Sequence, residues 1–184
     1  LGRYRVLLDS DARVVDATMG KEMRKAGAVV GDHVALAGDL SDTVGALARV
    51  VRVEPRSSLL RRSADDSDQV ERVIVANATQ MLIVTAIASP EPRTRLIDRY
   101  LAAAFDAGLQ PILCITKVDL ADPAEFLANF DGLSIPVVLN RSDEPSIDEL
   151  RELLKNQRTV AVGHSGVGKS TLLLSVAAQT ASKG

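Results

Sequence analysis

Apolar positions along this chain change their rhythm near residue 72. Before that point they come in short β-like runs broken by turns. "YRVLL" and "RVVDA" flank Asp9-Ser10-Asp11, a hairpin pattern, and "GDHVALAGD" and "TVGALARVVRVEP" are two more β-rich stretches bounded by Gly or Asp. So many short strands close together predict a small barrel of SH3-like or OB type over residues 1–55. "EPRSSLLRRSADDSDQVER" is polar, charged and weakly periodic, and reads as a linker or surface loop over 56–71.

From Arg72 strands and helices alternate. "VIVANATQMLIVTAI" is a β-rich apolar stretch whose second half resembles a buried parallel strand. In "PRTRLIDRYLAAAFDAG", Leu96, Tyr100, Leu101, Ala104 and Phe105 fall at helical spacing, with Gly108 placed to end the helix. There follow "PILCIT" (strand), "DPAEFLANF" (helix from Pro123), "IPVVLN" (strand) and "SIDELRELLK" (helix), where Ser146 and Glu149 have the spacing of a capping box. "RTVAVG" is the last strand, and a helix starts at about Lys169. Regular alternation predicts an α/β fold with a mostly parallel, doubly wound sheet over 72–184.

Composition narrows the function classes. The 184 residues carry a net charge of −2, 46% hydrophobic residues, 3% aromatics and no Trp, so the core is aliphatic and any nucleic-acid contact must come from local patches. Met81–Ala88 is the longest apolar run, far short of the ~20 residues of a membrane span. The first ten residues contain Arg3, Arg5 and Asp9 and show no secretory pattern. Cys114 has no possible internal partner and sits in an apolar run, which suits a core position and a reducing cytosol. No Cys/His spacing suits zinc.

Two motifs carry chemistry. The first is Gly163-His164-Ser165-Gly166-Val167-Gly168-Lys169-Ser170, followed by Thr171 and set between a strand and a helix. Glycines let consecutive N–H groups and the helix N-terminus face an anion. Lys169 is placed to reach β- and γ-phosphates, the Ser170 hydroxyl to ligate Mg²⁺, and Thr171 to meet the α-phosphate. A Gly-rich turn with a chance lysine would lack the strand–helix context. His164 could act as a base, although its place in the motif is a variable one and favours an outward side chain.

The second is Thr116-Lys117-Val118-Asp119, at the carboxyl end of "PILCIT", the sheet edge where α/β proteins bind ligands. A carboxylate there can accept from guanine N1–H and the exocyclic amine, a donor pair adenine lacks. The Lys117 stem can cover a face of the base. Read alone, the tetrapeptide is only a polar loop after a strand. Paired with the phosphate loop it favours guanine.

The order of the motifs is reversed relative to ordinary GTPases, where the phosphate loop comes first. With the β-rich front part, "RSSLLRR", "ERVIVANATQMLIVTA", "LIDRYL" and "GHSGVGKST", the chain resembles the ribosome-small-subunit-dependent GTPase A family, which is circularly permuted. The resemblance runs from about Tyr4 to Leu173. It implies an OB-type barrel, GTP/GDP and Mg²⁺ as ligands, cytoplasmic location, a monomer, and late maturation of the small ribosomal subunit, with its rRNA as partner. Thr116 stands where Asn is commoner, offering a hydroxyl to tie the two loops, and Asn140-Arg141 stands where a short Ser/Ala motif backs the base. Neither a D-x-P-G segment nor the family's zinc-binding region follows Thr171, so the resemblance makes this chain part of a longer protein. No residue is identified as positioning the attacking water.

Arg49, Arg52, Arg56, Arg61 and Arg62 form a basic cluster that reads either as an RNA phosphate patch or as a solvated face balanced by Asp65, Asp66 and Asp68. Two other functions remain open: a P-loop ATPase or kinase, in which Asp119 has no part in base choice, and an RNA-binding module with a degenerate nucleotide site.

Overall fold

The computed structural model describes residues 2–20, 23, 27–41, 43, 45–62, 72–143 and 146–181. The chain divides into two compact units, Leu1–Asn77 and Ala78–Gly184. In the first, β1 (Arg3–Leu7) and β2 (Val14–Met19) form the expected antiparallel hairpin. β3 (Val34–Gly38) pairs antiparallel with β4 (Ala48–Val53), and β4 lies parallel to β2, giving the order β1-β2-β4-β3. Alternation turns Ala17, Met19, Ala48 and Val50 inward, where Tyr4, Val6, Val34 and Leu36 pack on them. The expected closed barrel is not seen: among the described residues this sheet is open, with β1 and β3 at its edges.

β5 (Leu59–Arg62), inside the stretch read as a linker, pairs antiparallel with β6 (Arg72–Ala76). That pairing joins residues up to Asn77 to the first unit, although the texture of the sequence changes at Arg72. Asn77 fixes the junction: its Oδ1 accepts from the Ser57 N–H at 2.8 Å, and its Nδ2 donates to the Gly31 carbonyl at 2.9 Å.

The basic cluster is largely committed elsewhere. Arg56 donates Nε and Nη2 to the two oxygens of Asp32 at 2.7 and 2.8 Å, beneath a surface that leaves that carboxylate 1% exposed. Burial opposes the charge of Asp32, but Arg56 and the Val29 N–H together hold it below the usual carboxylate range. Arg52 is paired with Glu54. Arg49 and Arg61 are exposed on β4 and β5, while the Arg62 side chain and Asp65, Asp66 and Asp68 lie outside the described residues.

The second unit is the expected α/β sheet. Its order is β10-β7-β8-β9, all parallel, from β7 (Gln80–Ala86), β8 (Gln110–Thr116), β9 (Val137–Asn140) and β10 (Thr159–Val162). β7 is buried along its whole length because both faces are covered. Leu82, Val84, Ile112 and Cys114 face α3 (Ile147–Leu154) and α4 (Lys169–Ala181) through Leu150 and Leu172. Burial pushes the Cys114 thiol up to about 12, so it stays protonated as a core residue. Residues of opposite parity in β7 and β8 are covered by α1 (Thr94–Asp106).

Three local expectations need revision. The buried stripe of α1 is Ile97, Leu101 and Ala104: Leu101 and Ala104 lie on the predicted face, Ile97 is buried where Leu96 was expected, and Phe105 is 55% exposed. The helix does end at Gly108: Gly108 N–H donates to Phe105 and Leu109 N–H to Ala104, a Schellman closure around a left-handed glycine. "DPAEFLANF" makes only one α-turn, α2 (Ala124–Leu127), then a 3-10 turn, Ala128–Phe130, with Phe126 and Phe130 edge to face. Ser146 does not form a capping box. Its hydroxyl donates to the Leu139 carbonyl at 2.9 Å, tying the start of α3 to β9 instead of to its own first turn.

Leu150 has no exposed surface and lies under the site-bearing edge of the sheet. We expect Leu150→Ala to cost about 2–5 kcal/mol in urea or thermal unfolding; a loss below about 1 kcal/mol would show that α3 does not anchor this core.

Candidate functional site

The two motifs meet at the carboxyl edge of the parallel sheet. β10 pairs with β7 up to Val162–Ile83, and the chain then turns away at Gly163. Gly163 has φ 150°, and a Cβ there would lie 2.2 Å from the Val84 carbonyl oxygen. Only glycine lets the strand leave its neighbour this closely. Gly166 and Gly168 take φ values of 81° and 91°, so the loop curls before α4 begins at Lys169. Val167, 2% exposed, plugs the loop into the core shared with Leu172.

Lys169 is half-buried and turns back over this loop. Its Nζ donates to the Gly163 carbonyl at 2.7 Å and the His164 carbonyl at 2.9 Å, placing the ammonium inside the curve. Ser165 and Gly166 are exposed beside it. The His164 ring Nδ1 lies 2.8 Å from the Ser165 carbonyl, a contact within the loop itself. Ser170 and Thr171 are exposed in the first turn of α4. Four backbone N–H groups at that helix start lack helical partners by geometry, and with the ammonium they form an anion-binding end.

The second loop is locked to the first by one buried hydroxyl. Thr116, 4% exposed, donates Oγ1–H to the Val167 carbonyl at 2.7 Å, and the same oxygen lies 3.3 Å from the Thr85 carbonyl. Lys117 adopts φ 61° and extends its Nζ to the Gly166 carbonyl at 3.3 Å and to the Ser89 carbonyl. It thereby joins the loop after β7 to the phosphate loop. Val118 donates its N–H to the Asn140 carbonyl at 3.4 Å. Asp119 accepts the Ser142 N–H on Oδ1 at 2.7 Å. That N–H holds the Asp119 carboxyl below the usual carboxylate range, with burial opposing it. A depressed value means the contribution is complete at neutral pH and is lost only as pH falls through it.

Between the loops is a cleft of about 220 Å³, lined by Thr116, Lys117, Asn140, Arg141, Ser142, Gly168 and Thr171. A larger depression of about 410 Å³ on the first unit mixes Arg5 with Asp16 and Asp39 and brings no motif residue together. The smaller cleft is therefore the candidate site. Asp119 follows Lys117 in the loop beside it, and Gly168 and Thr171 on its other side belong to the phosphate loop and the first turn of α4, where backbone amides can meet an anion.

Ser142 is not signalled by any motif. The position in register with a base-backing segment was Asn140-Arg141, but Asn140 accepts the Ser146 N–H at 3.0 Å and closes the β9–α3 turn, so the N–H reaching Asp119 belongs to the next residue but one. Among the described residues no group of three or more His, Cys, Asp or Glu could hold a metal. No helix there is long and apolar enough to cross a membrane.

A family model described as RsgA GTPase matches residues 53–183. The chain belongs to the RsgA GTPase family. "Small ribosomal subunit biogenesis GTPase RsgA" of Chlorobaculum parvum is 36% identical over 169 residues, covering 88% of this chain and 54% of the relative. The protein of the same name from Chlorobaculum tepidum is 35% identical with the same coverage. This RsgA-family chain thus spans about half the length of the curated relatives it matches. The crystal structure of YjeQ from Thermotoga maritima superposes with a TM-score of 0.72 at 25% identity, covering 95% of this chain and 60% of that one. YloQ, described as a circularly permuted GTPase, gives 0.68 at 26% identity, with 94% and 60% covered. Permutation accounts for the RsgA-type topology seen here, in which the strand feeding the phosphate loop is the last in sequence yet lies beside β7.

Gly163→Ala should cost roughly 2 kcal/mol or more in stability, because a backbone oxygen cannot yield to the new Cβ as a flexible side chain would. Unfolding of that variant within 0.5 kcal/mol of wild type would remove the argument for Gly163.

Proposed function

We propose that this chain is the guanine-nucleotide-binding part of a GTPase that acts in late maturation of the small ribosomal subunit. The observation that carries the reading is the Thr116 hydroxyl on the Val167 carbonyl, which makes the TKVD loop and the phosphate loop one site. In this reading Asp119 accepts from guanine N1–H and the exocyclic amine, and the Lys117 stem lies along the base. The backbone of Gly163, His164, Ser165, Gly166, Val167 and Gly168 wraps the phosphates, and Thr171 meets the α-phosphate.

Lys169 exchanges its loop carbonyls for β- and γ-phosphate oxygens, neutralising charge that moves onto the bridging oxygen as water displaces GDP from the γ-phosphorus. Its fit rests on placement, since the ammonium already occupies the inside of the loop. Ser170 would hold Mg²⁺, and its exposed hydroxyl at the helix start has suitable donor chemistry. The ion would supply charge neutralisation across the β- and γ-oxygens. His164 enters this proposal only through its backbone, as part of the loop around the phosphates.

The names of the relatives support the small subunit, with its rRNA, as partner. The N-terminal sheet would serve there as an OB-like module, with Arg49 exposed on β4. A cytoplasmic monomer fits this role.

Asp119→Asn replaces a double acceptor by a group that can donate, so nucleotide preference should move from GDP to xanthosine diphosphate by tenfold or more. Competition against a fluorescent nucleotide measures it. Unchanged GDP preference would exclude Asp119 from the base site.

A further inference from the structure

The turn that carries Ser142 is closed by its two neighbours. Arg141 donates Nε to Asp143 Oδ1 at 2.8 Å and Nη2 to Oδ2 at 2.9 Å, a bidentate fork spanning the residue between them. Ser142 then points its N–H at Asp119 Oδ1 at 2.7 Å. Arg141 and Ser142 also line the cleft. Both members of the fork are partly exposed, at 48% and 62%, so a pair in this place adds little to global stability. What a fork of fixed planar geometry does supply is orientation. A second effect has the same source. The Arg141 guanidinium sits on the Asp143 carboxylate, whose charge opposes that of Asp119.

We propose that the Arg141–Asp143 fork is a specificity-determining device: it fixes the Ser142 N–H on Asp119 Oδ1 and so holds the carboxylate in one orientation toward the base, setting how strongly guanine is chosen over purines lacking the 2-amino group. Arg141 and Asp143 are positioning residues in this scheme, since neither accepts from the base. The proposal rests on the guanine site described above. Its geometry departs from a simple small-residue backing of the base, because here two charged side chains hold the backbone donor in place.

The probes are GDP, inosine diphosphate and ADP, titrated against the full chain by competition. Inosine diphosphate keeps N1–H and the 6-oxo group but lacks the exocyclic amine, so the GDP/inosine diphosphate ratio reads how well Asp119 engages its second donor. Wild type should prefer GDP over both. No preference over ADP would overturn the guanine reading itself, separately from the fork. Arg141→Ala should lower the GDP/inosine diphosphate ratio about three- to fivefold while leaving ADP binding and the unfolding midpoint unchanged. The exchanged pair, Arg141→Asp with Asp143→Arg, should restore most of the ratio. An Arg141→Ala ratio equal to wild type would overturn the proposal, as would an equal loss for all three nucleotides, which marks a structural role only. Failure of the exchange to recover any selectivity would also overturn it.

Discussion

A single hydroxyl holds this site together. Thr116 ends the strand β8 and donates to the carbonyl of Val167, which lies in the curl of the phosphate loop. The bond is buried, so neither group can turn to water if the other leaves, and the two loops keep one relative position. The residues of both motifs are arranged about that link. Asp119 lies three residues beyond Thr116, Lys117 bridges to Gly166, and Lys169 follows two residues after Val167.

The bond can form because of strand order. β10 lies beside β7 and β7 beside β8, so the ends of β10 and β8 reach the same edge with one strand between them. Gly163 lets the chain pass the Val84 carbonyl closely enough for the loop to fold back over β7 toward Thr116. An aliphatic core of Leu82, Val84, Ile112, Val138 and Leu150 fixes the strand ends. Permutation changes the sequence order of these pieces but leaves their neighbours in space unaltered. That is why the Gly163–Gly168 loop can share a cleft with the Thr116–Lys117 turn far upstream of it.

Much of this was legible in the residues. Parallel strands gave unbroken apolar runs, and glycines marked the loop and the end of α1. The motif order pointed to a permuted GTPase before any geometry was known. What failed to show has physical causes. β5 is stabilised by pairing with β6, the next strand along the chain, and the polar stretch around it does not announce a strand. Ser146 had a capping spacing, yet the Leu139 carbonyl from a neighbouring strand outcompeted its own helix. Five arginines looked alike in sequence, but Arg56 belongs to a buried carboxylate and Arg52 to its neighbour Glu54. Ser142 contributes through its backbone, for which residue identity carries no signal. The open N-terminal sheet could not be told from a closed one by strand count alone.

The link at Thr116 can be tested by exchanging its hydroxyl for a methyl group. Thr116→Val keeps the branched shape in the core and leaves the Val167 carbonyl without its donor, a change worth about 1–3 kcal/mol. Measured by competition with a fluorescent nucleotide, GDP affinity of the variant should fall about tenfold or more, with the protein still folded. GDP affinity equal to that of wild type would mean that the two loops do not act as one site.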